Sequence, residues 1–193
     1  LIAKPTSKLY QLLLFVFIIE EISNKKEKKM NSPKVAVIMG SDSDFDVVKK
    51  CLIALERFDI EYEVQVISAH RNPQKIFDYA RTAEERGIEV IIGAAGKAAH
   101  LPGIIAGITP LPVIGIPIQT SFQGGLDSLL SIVQMPTGVP VATVAVNGAE
   151  NAGILAAQIL SIKYPEIRSK MKAYKIQLND EVVAKNEKIQ EIL

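Results

Sequence analysis

Five short apolar runs, most of them followed by helical periodicity, constrain the fold of this chain more than any other feature. The runs are Lys34–Met39, Tyr62–Ser68, Val90–Ala94, Pro112–Ile118 and Val141–Val146. Helical patterns occupy Phe45–Phe58, Pro73–Arg86, Leu101–Gly107, Gly125–Gln134 and Ala149–Lys163. Strand–helix alternation at this spacing predicts an α/β fold, a parallel sheet covered by helices on both faces. The Ala, Gly, Ile and Val content of the runs, without clean polar alternation, suits burial on both sides. In such sheets ligands bind beyond the carboxyl ends of the strands. That rule directs attention to the residues at the end of each run.

After the first run comes Gly40-Ser41-Asp42-Ser43-Asp44, ahead of a helix with Val47, Val48, Cys51, Leu52 and Leu55 on one face. A strand that breaks at Gly into a Ser/Asp turn and then a helix offers free N–H groups, a positive dipole end and hydroxyl donors. Taken alone, the same residues serve equally well as an N-cap at Ser43 or Asp44. The second run ends in Ser68-Ala69-His70-Arg71, with Asn72 as N-cap and Pro73 in the first helical turn. Arg71 offers a planar fork for phosphate, and His70 a proton donor and acceptor in one ring. The third run leads into Gly96-Lys97-Ala98-Ala99-His100-Leu101-Pro102-Gly103, whose small residues admit a ligand close to the backbone. The fourth leads into Gln119-Thr120-Ser121-Phe122-Gln123-Gly124-Gly125, again polar and Gly-rich. One such turn is a cap; several on one edge of a sheet point to a site.

Several functions are excluded. A formal charge of +1 and the absence of Trp give no footing for nucleic acid or an anionic membrane. No P-loop, dinucleotide fingerprint, His-Glu-x-x-His or Gly-x-Ser-x-Gly occurs, and two histidines 30 residues apart make a weak metal-ligand set. With 48% hydrophobic residues the chain can bury one sizeable core, and the lone Cys51 falls on the apolar face of the first helix, which suits a reducing cytosol. What remains is acid–base chemistry on a phosphorylated small molecule.

Residues 1–29 read differently. The apolar block Leu12 to Ile19 is too short for a membrane span, and Glu20 and Glu21 follow it where a signal peptide would have a small-residue cleavage site. One codon reading of Asn24 to Met30 contains AAGGAG just ahead of ATG, the pattern of a bacterial ribosome-binding site. The expectation is an untranslated or disordered leader over 1–29, with translation beginning at Met30.

The motifs Met39-Gly40-Ser41-Asp42-Ser43-Asp44, Ser68-Ala69-His70-Arg71 and Ala98-Ala99-His100-Leu101-Pro102-Gly103 closely resemble the class I N5-carboxyaminoimidazole ribonucleotide mutase family of bacterial purine biosynthesis. A fourth stretch, Asp127-Ser128-Leu129 through Gln134-Met135-Pro136, adds to the likeness, which covers roughly Lys34 to Leu160. The resemblance implies a flavodoxin-like three-layer αβα sandwich over 30–164 and a C-terminal helical tail over 165–193 that packs on a neighbouring subunit. It implies a cytoplasmic homo-octamer with sites between subunits, no metal or organic cofactor, and transient contact with the ATP-dependent enzyme that makes the substrate. By matching position to position, Ser41, Asp44 and Arg71 bind substrate, and Ser43, Ser68, Ala69, Ala98 and Leu101 line the site. His70 matches the catalytic acid–base, and His100 a second active-site histidine. Related class II enzymes, which carboxylate aminoimidazole ribonucleotide with free carbon dioxide, typically carry Lys where Arg71 stands and lack the His-Leu-Pro-Gly at His100. A non-catalytic nucleotide sensor on the same fold is the alternative of another class. Lys97 departs from the family, where many relatives carry a small residue, and the resemblance assigns it no role.

Overall fold

The computed structural model describes Leu14–Phe17, Ile19 and Pro33–Leu193. The start at Met30 and most of the expected leader lie outside the described residues. Leu14–Phe17 and Ile19 are helical, with exposed side chains. Pro33–Leu193 forms one compact unit.

In that unit β1 (Lys34–Met39), β2 (Glu61–Val66), β3 (Ile88–Ala95), β4 (Val113–Pro117) and β5 (Ala142–Thr143) form a parallel sheet in the order β2-β1-β3-β4-β5. The helices are α1 (Phe45–Arg57), α2 (Pro73–Arg81), α3 (Leu101–Ala106), α4 (Leu126–Val133), α5 (Ala149–Leu160) and α6 (Pro165–Gln190). This is the doubly wound, flavodoxin-like order, whose switch point falls between β1 and β3.

Alternation along each strand feeds two cores. Val35, Val37 and Met39 of β1, with Val90, Ile92 and Ala94 of β3, face α1, α5 and the start of α6. Ala36 and Ile38, with Ile91 and Ala95, face α2, α3 and α4. Every residue of β1 after Lys34 is buried, which is why the central strands read as continuous apolar runs. Edge strand β2 is only half-buried, and its Glu63 accepts from Lys34 Nζ at 2.6 Å and Arg86 Nη2 at 3.4 Å. Charge on an edge strand discourages pairing with another chain.

Close approach between α1 and α5 depends on Gly153. A Cβ there would lie 2.8 Å from both the Cys51 carbonyl oxygen and Ala54 Cβ. Cys51 is fully buried in this contact, and burial pushes its thiol up to about 12, so it is inert at neutral pH, as its place on the apolar face suggested.

Two expected elements differ. The predicted helix Pro73–Arg86 ends at Arg81 and resumes as a 3-10 turn, Glu84–Arg86, closed by Gly87 in the left-handed region at φ +76°. The predicted strand Val141–Val146 keeps ladder geometry only at Ala142–Thr143. Beyond it the chain stays alongside β4 through Val144 N to Gly115 O (3.2 Å) and Asn147 N to Pro117 O (2.8 Å), bonds of an irregular edge. Among the described residues no helix is long and apolar enough to cross a membrane.

Candidate active site

All four polar turns meet at the carboxyl edge of the sheet, around a cavity of about 590 Å³. Each is built locally. At the end of β1, Gly40 N donates to Ala94 O at 3.0 Å, carrying the ladder one residue past the strand. Ser41 is then extended, and its Oγ accepts from Ser43 N at 3.3 Å and from the Ser43 hydroxyl at 2.9 Å. Ser41, rather than Ser43 or Asp44, therefore caps the 3-10 turn Asp42–Asp44 that leads into α1. Asp44 stands at the N-cap position of α1 without making a side-chain cap bond, which leaves its carboxylate for the cavity wall. Asp44 is 9% exposed, and burial raises its pKa against hydrogen bonds from Ser43 and the Ser41 backbone that lower it.

At the end of β2, Ser68 Oγ accepts from both Arg71 N and Arg71 Nε, each at 3.3 Å. Arg71 Nη2 reaches Gly40 O at 3.5 Å, so the guanidinium lies across the β1 turn, beside Ser41. Asn72 Oδ1 accepts from Lys75 N at 3.2 Å and Pro73 opens α2, the cap read from sequence. At the end of β3, His100 N and Ala99 N close tight turns onto Ala98 O and Lys97 O, both at 2.8 Å. That winding brings the His100 ring to His70: Nδ1 of His100 is 2.9 Å from Nε2 of His70, the rings meeting edge-on at 74°. One proton fits between the two nitrogens, so one ring donates and the other accepts.

The structure brings together every candidate residue. Ser41, Ser43, Asp44, Ser68, Ala69, His70, Arg71, Ala98, His100 and Leu101 all line the cavity. Asp44, Ala69 and Leu101 are buried in its wall, while His70, Arg71 and His100 remain exposed. Gln119, Thr120, Ser121 and Lys97 also line it but were not assigned roles from sequence. The signal for the first three was present, since a polar stretch after a parallel strand sits on the ligand edge. Their support was not legible. Gln119 N donates to Asn147 Oδ1 at 2.9 Å and Gln119 Oε1 accepts from Asn147 Nδ2 at 3.0 Å, a reciprocal pair across 28 residues. Thr120 Oγ1 donates to Asp127 at 2.6 Å, and the buried Ser128 hydroxyl bonds Ile118 O at 2.7 Å, so the β4 turn is anchored at both ends. Among the described residues no group of three or more His, Cys, Asp or Glu is placed to hold a metal ion.

Comparison with known proteins identifies the family. The family model described as AIR carboxylase matches residues 34–181. N5-carboxyaminoimidazole ribonucleotide mutase of Thermotoga maritima is 61% identical over 160 residues, covering 83% of this chain and 94% of that protein. The protein of the same name from Mycobacterium tuberculosis is 56% identical over 160 residues, covering 83% and 92%. The crystal structure of Treponema denticola PurE superposes with a TM-score of 0.73 at 28% identity, covering 81% of this chain and 98% of that one. On the match to the family model and the identity to these relatives, the chain belongs to the AIR carboxylase family.

Proposed function

We propose that this chain converts N5-carboxyaminoimidazole ribonucleotide to 4-carboxyaminoimidazole ribonucleotide, moving a carboxylate from the exocyclic nitrogen to carbon 4 in purine (IMP) biosynthesis. The observation that carries this reading is the His70–His100 contact of 2.9 Å, set in a cavity that also holds Ser41, Asp44 and Arg71. A phosphate cradle alone would suit a sensor; a proton-sharing histidine pair facing the same space suits a reaction.

The chemistry needs one group that both gives and takes a proton. The carbamate C–N bond breaks, its electron pair goes to the nitrogen, and His70 protonates that nitrogen as carbon dioxide departs. The enamine-like carbon 4 then attacks the carbon dioxide. The tetrahedral carbon so formed loses its proton to the now neutral His70, which restores the aromatic ring and returns the histidine to its starting state. His100 fixes the His70 ring and its tautomer. Arg71, Ser41 and Ser43 receive the phosphate at the head of α1, where donors and the helix dipole favour an anion. Asp44 accepts from ribose hydroxyls, away from the like-charged phosphate. Ser68 holds the Arg71 fork, while the small side chains of Ala69 and Ala98, with the buried Leu101, let the ring lie close to the backbone. No step needs a metal or organic cofactor.

Retaining carbon dioxide calls for a closed site, yet His70, Arg71 and His100 are exposed in the single chain. This supports sites shared between subunits, as in the homo-octamer that the family likeness implied. Transient contact with the ATP-dependent enzyme supplying the carbamate, and a cytoplasmic location, belong to the same reading.

A paired assay tests the reaction. One tube receives the N5-carboxylated nucleotide, the other aminoimidazole ribonucleotide with modest bicarbonate. Turnover of the first alone is expected. Turnover of the second at low bicarbonate would move the chain to direct carboxylation, and silence in both with nucleotide still bound would make it a sensor.

A further inference from the structure

Lys97 occupies a backbone conformation that its side chain disfavours. Its φ is +57°, in the left-handed region, where a residue other than Gly, Asn or Asp is uncommon. The turn is held there from three sides. Lys97 O accepts from Ala99 N at 2.8 Å and from Ser131 Oγ at 3.4 Å. Gly96 lies flush against the β4 turn, where an added Cβ would sit 3.5 Å from Ile118 Cβ and 3.6 Å from Thr120 Cγ2. Lys97 is exposed and belongs to the cavity lining, and among the described residues its ammonium has no ion-pair partner.

The cavity's charge makes that ammonium count. Its fixed charges are Asp44, Arg71 and Lys97. Ionised Asp44 and Arg71 offset one another in formal charge, so Lys97 supplies the net positive charge of the wall. Asp42 belongs to the same turn as Asp44 but is exposed and not part of the lining, its carboxylate bonded by the Ser41 hydroxyl at 3.3 Å. Arg71 follows β2 and Lys97 follows β3, with β1 between them, so their strand ends lie roughly 10 Å apart, two strand spacings. A carboxylated ribonucleotide carries a phosphate at one end and a carboxylate at the other. A cation clamped on the carbamate would oppose its loss as neutral carbon dioxide; a solvated ammonium at the rim attracts the anion without holding it there.

Resting on the reading above for the ligand, we propose that Lys97 is a specificity-determining residue that captures a multiply anionic nucleotide and takes no part in proton transfer. Lys97→Gly tests this, because glycine accepts the left-handed turn while removing the side chain and its charge. Lys97→Arg restores the charge. For Lys97→Gly we expect KM for the carboxylated nucleotide to rise about fivefold, the upper range for a solvated charge attraction, with kcat little changed. The salt dependence of kcat/KM should flatten, and aminoimidazole ribonucleotide without bicarbonate, which keeps the phosphate but lacks the carboxylate, should bind more weakly by a smaller factor, about twofold, by calorimetry. Lys97→Arg should recover most of each loss. Unchanged KM, affinity and salt slope, or a fall in kcat alone, would overturn the proposal. If the parent protein binds the nucleotide but does not turn it over, and Lys97→Gly still weakens binding, the mutase reading fails while this one stands. If the parent binds no nucleotide, both fail.

Discussion

Nε2 of His70 lies 2.9 Å from Nδ1 of His100, although the two residues are 30 positions apart and follow strands that are not neighbours in the sheet. A hydrogen bond at that distance ties the orientation and tautomer of each ring to the other.

His70→Asn should therefore separate binding from turnover. The amide can still accept or donate one hydrogen bond to His100 but cannot carry a proton through a cycle. We expect kcat to fall by about 10²- to 10⁴-fold, with nucleotide affinity within a few-fold of the parent. Steady-state kinetics beside calorimetry measures both, and intact turnover would remove His70 from its role.

Asp44 predicts a trade between stability and binding. Its folded-state pKa is raised above 3.8 by burial, so the folded protein holds the proton to higher pH than the unfolded chain does. The resulting stability is full below the unfolded-state value and is lost as pH rises through the folded-state value. Above that, burial of the carboxylate weighs against folding. Asp44→Asn should match the parent in thermal stability at acidic pH and exceed it by about 1–3 °C near neutrality. Nucleotide affinity should drop in the same variant. A variant less stable than the parent at neutral pH would mean that the Ser43 and Ser41 hydrogen bonds outweigh the burial.

Gly153→Ala reverses the usual helix rule. At an open helical position the change adds stability of about 1 kcal/mol. Here the new methyl meets the Cys51 carbonyl at 2.8 Å, a backbone atom that cannot rotate away. Net destabilisation of about 1–2 kcal/mol is expected, read as a lower urea midpoint at unchanged slope. An unchanged or higher midpoint would show that α1 and α5 can move apart freely.

The C-terminal helix divides into a part buried on its own domain and an exposed part beyond it. Ile167 and Met171 are buried in the domain's own core, and the Tyr174 ring meets Phe58 edge-on with centroids 5.7 Å apart. Cutting at Pro165 would damage the fold, so an assembly test must cut later. Beyond Tyr174 the helix exposes Ile176, Val182, Val183 and Ile189. Truncation after Lys175 should leave the thermal transition of the domain within a few degrees and lower the oligomer size by light scattering. An unchanged assembly would take the tail out of the subunit contacts.

Much of this was legible in the residues because a parallel sheet converts chain order into place. Each strand's carboxyl end falls on one edge, so Ser41, Asp44, His70, Arg71 and His100 could be assigned to one site from strand-end position and motif alone. Apolar runs also placed the central strands, since β1, β3 and β4 are covered on both faces and need no alternation. Element ends were harder. The helix from Pro73 stops at Arg81, and β5 keeps only Ala142–Thr143, because lone hydrogen bonds to neighbours rather than periodicity set those limits.

By itself, then, the sequence determined the fold class, the edge on which the site lies and the residue types that face it. Tertiary structure alone decided the strand order, the meeting of His70 with His100, the Gln119–Asn147 pair beneath the β4 turn and the left-handed turn that lifts Lys97 onto the cavity wall. The reason is physical. Periodicity and capping are local and report which face of an element is apolar, whereas neighbours across the sheet are chosen by how two cores pack on either side of it, and that choice is spread over the whole chain.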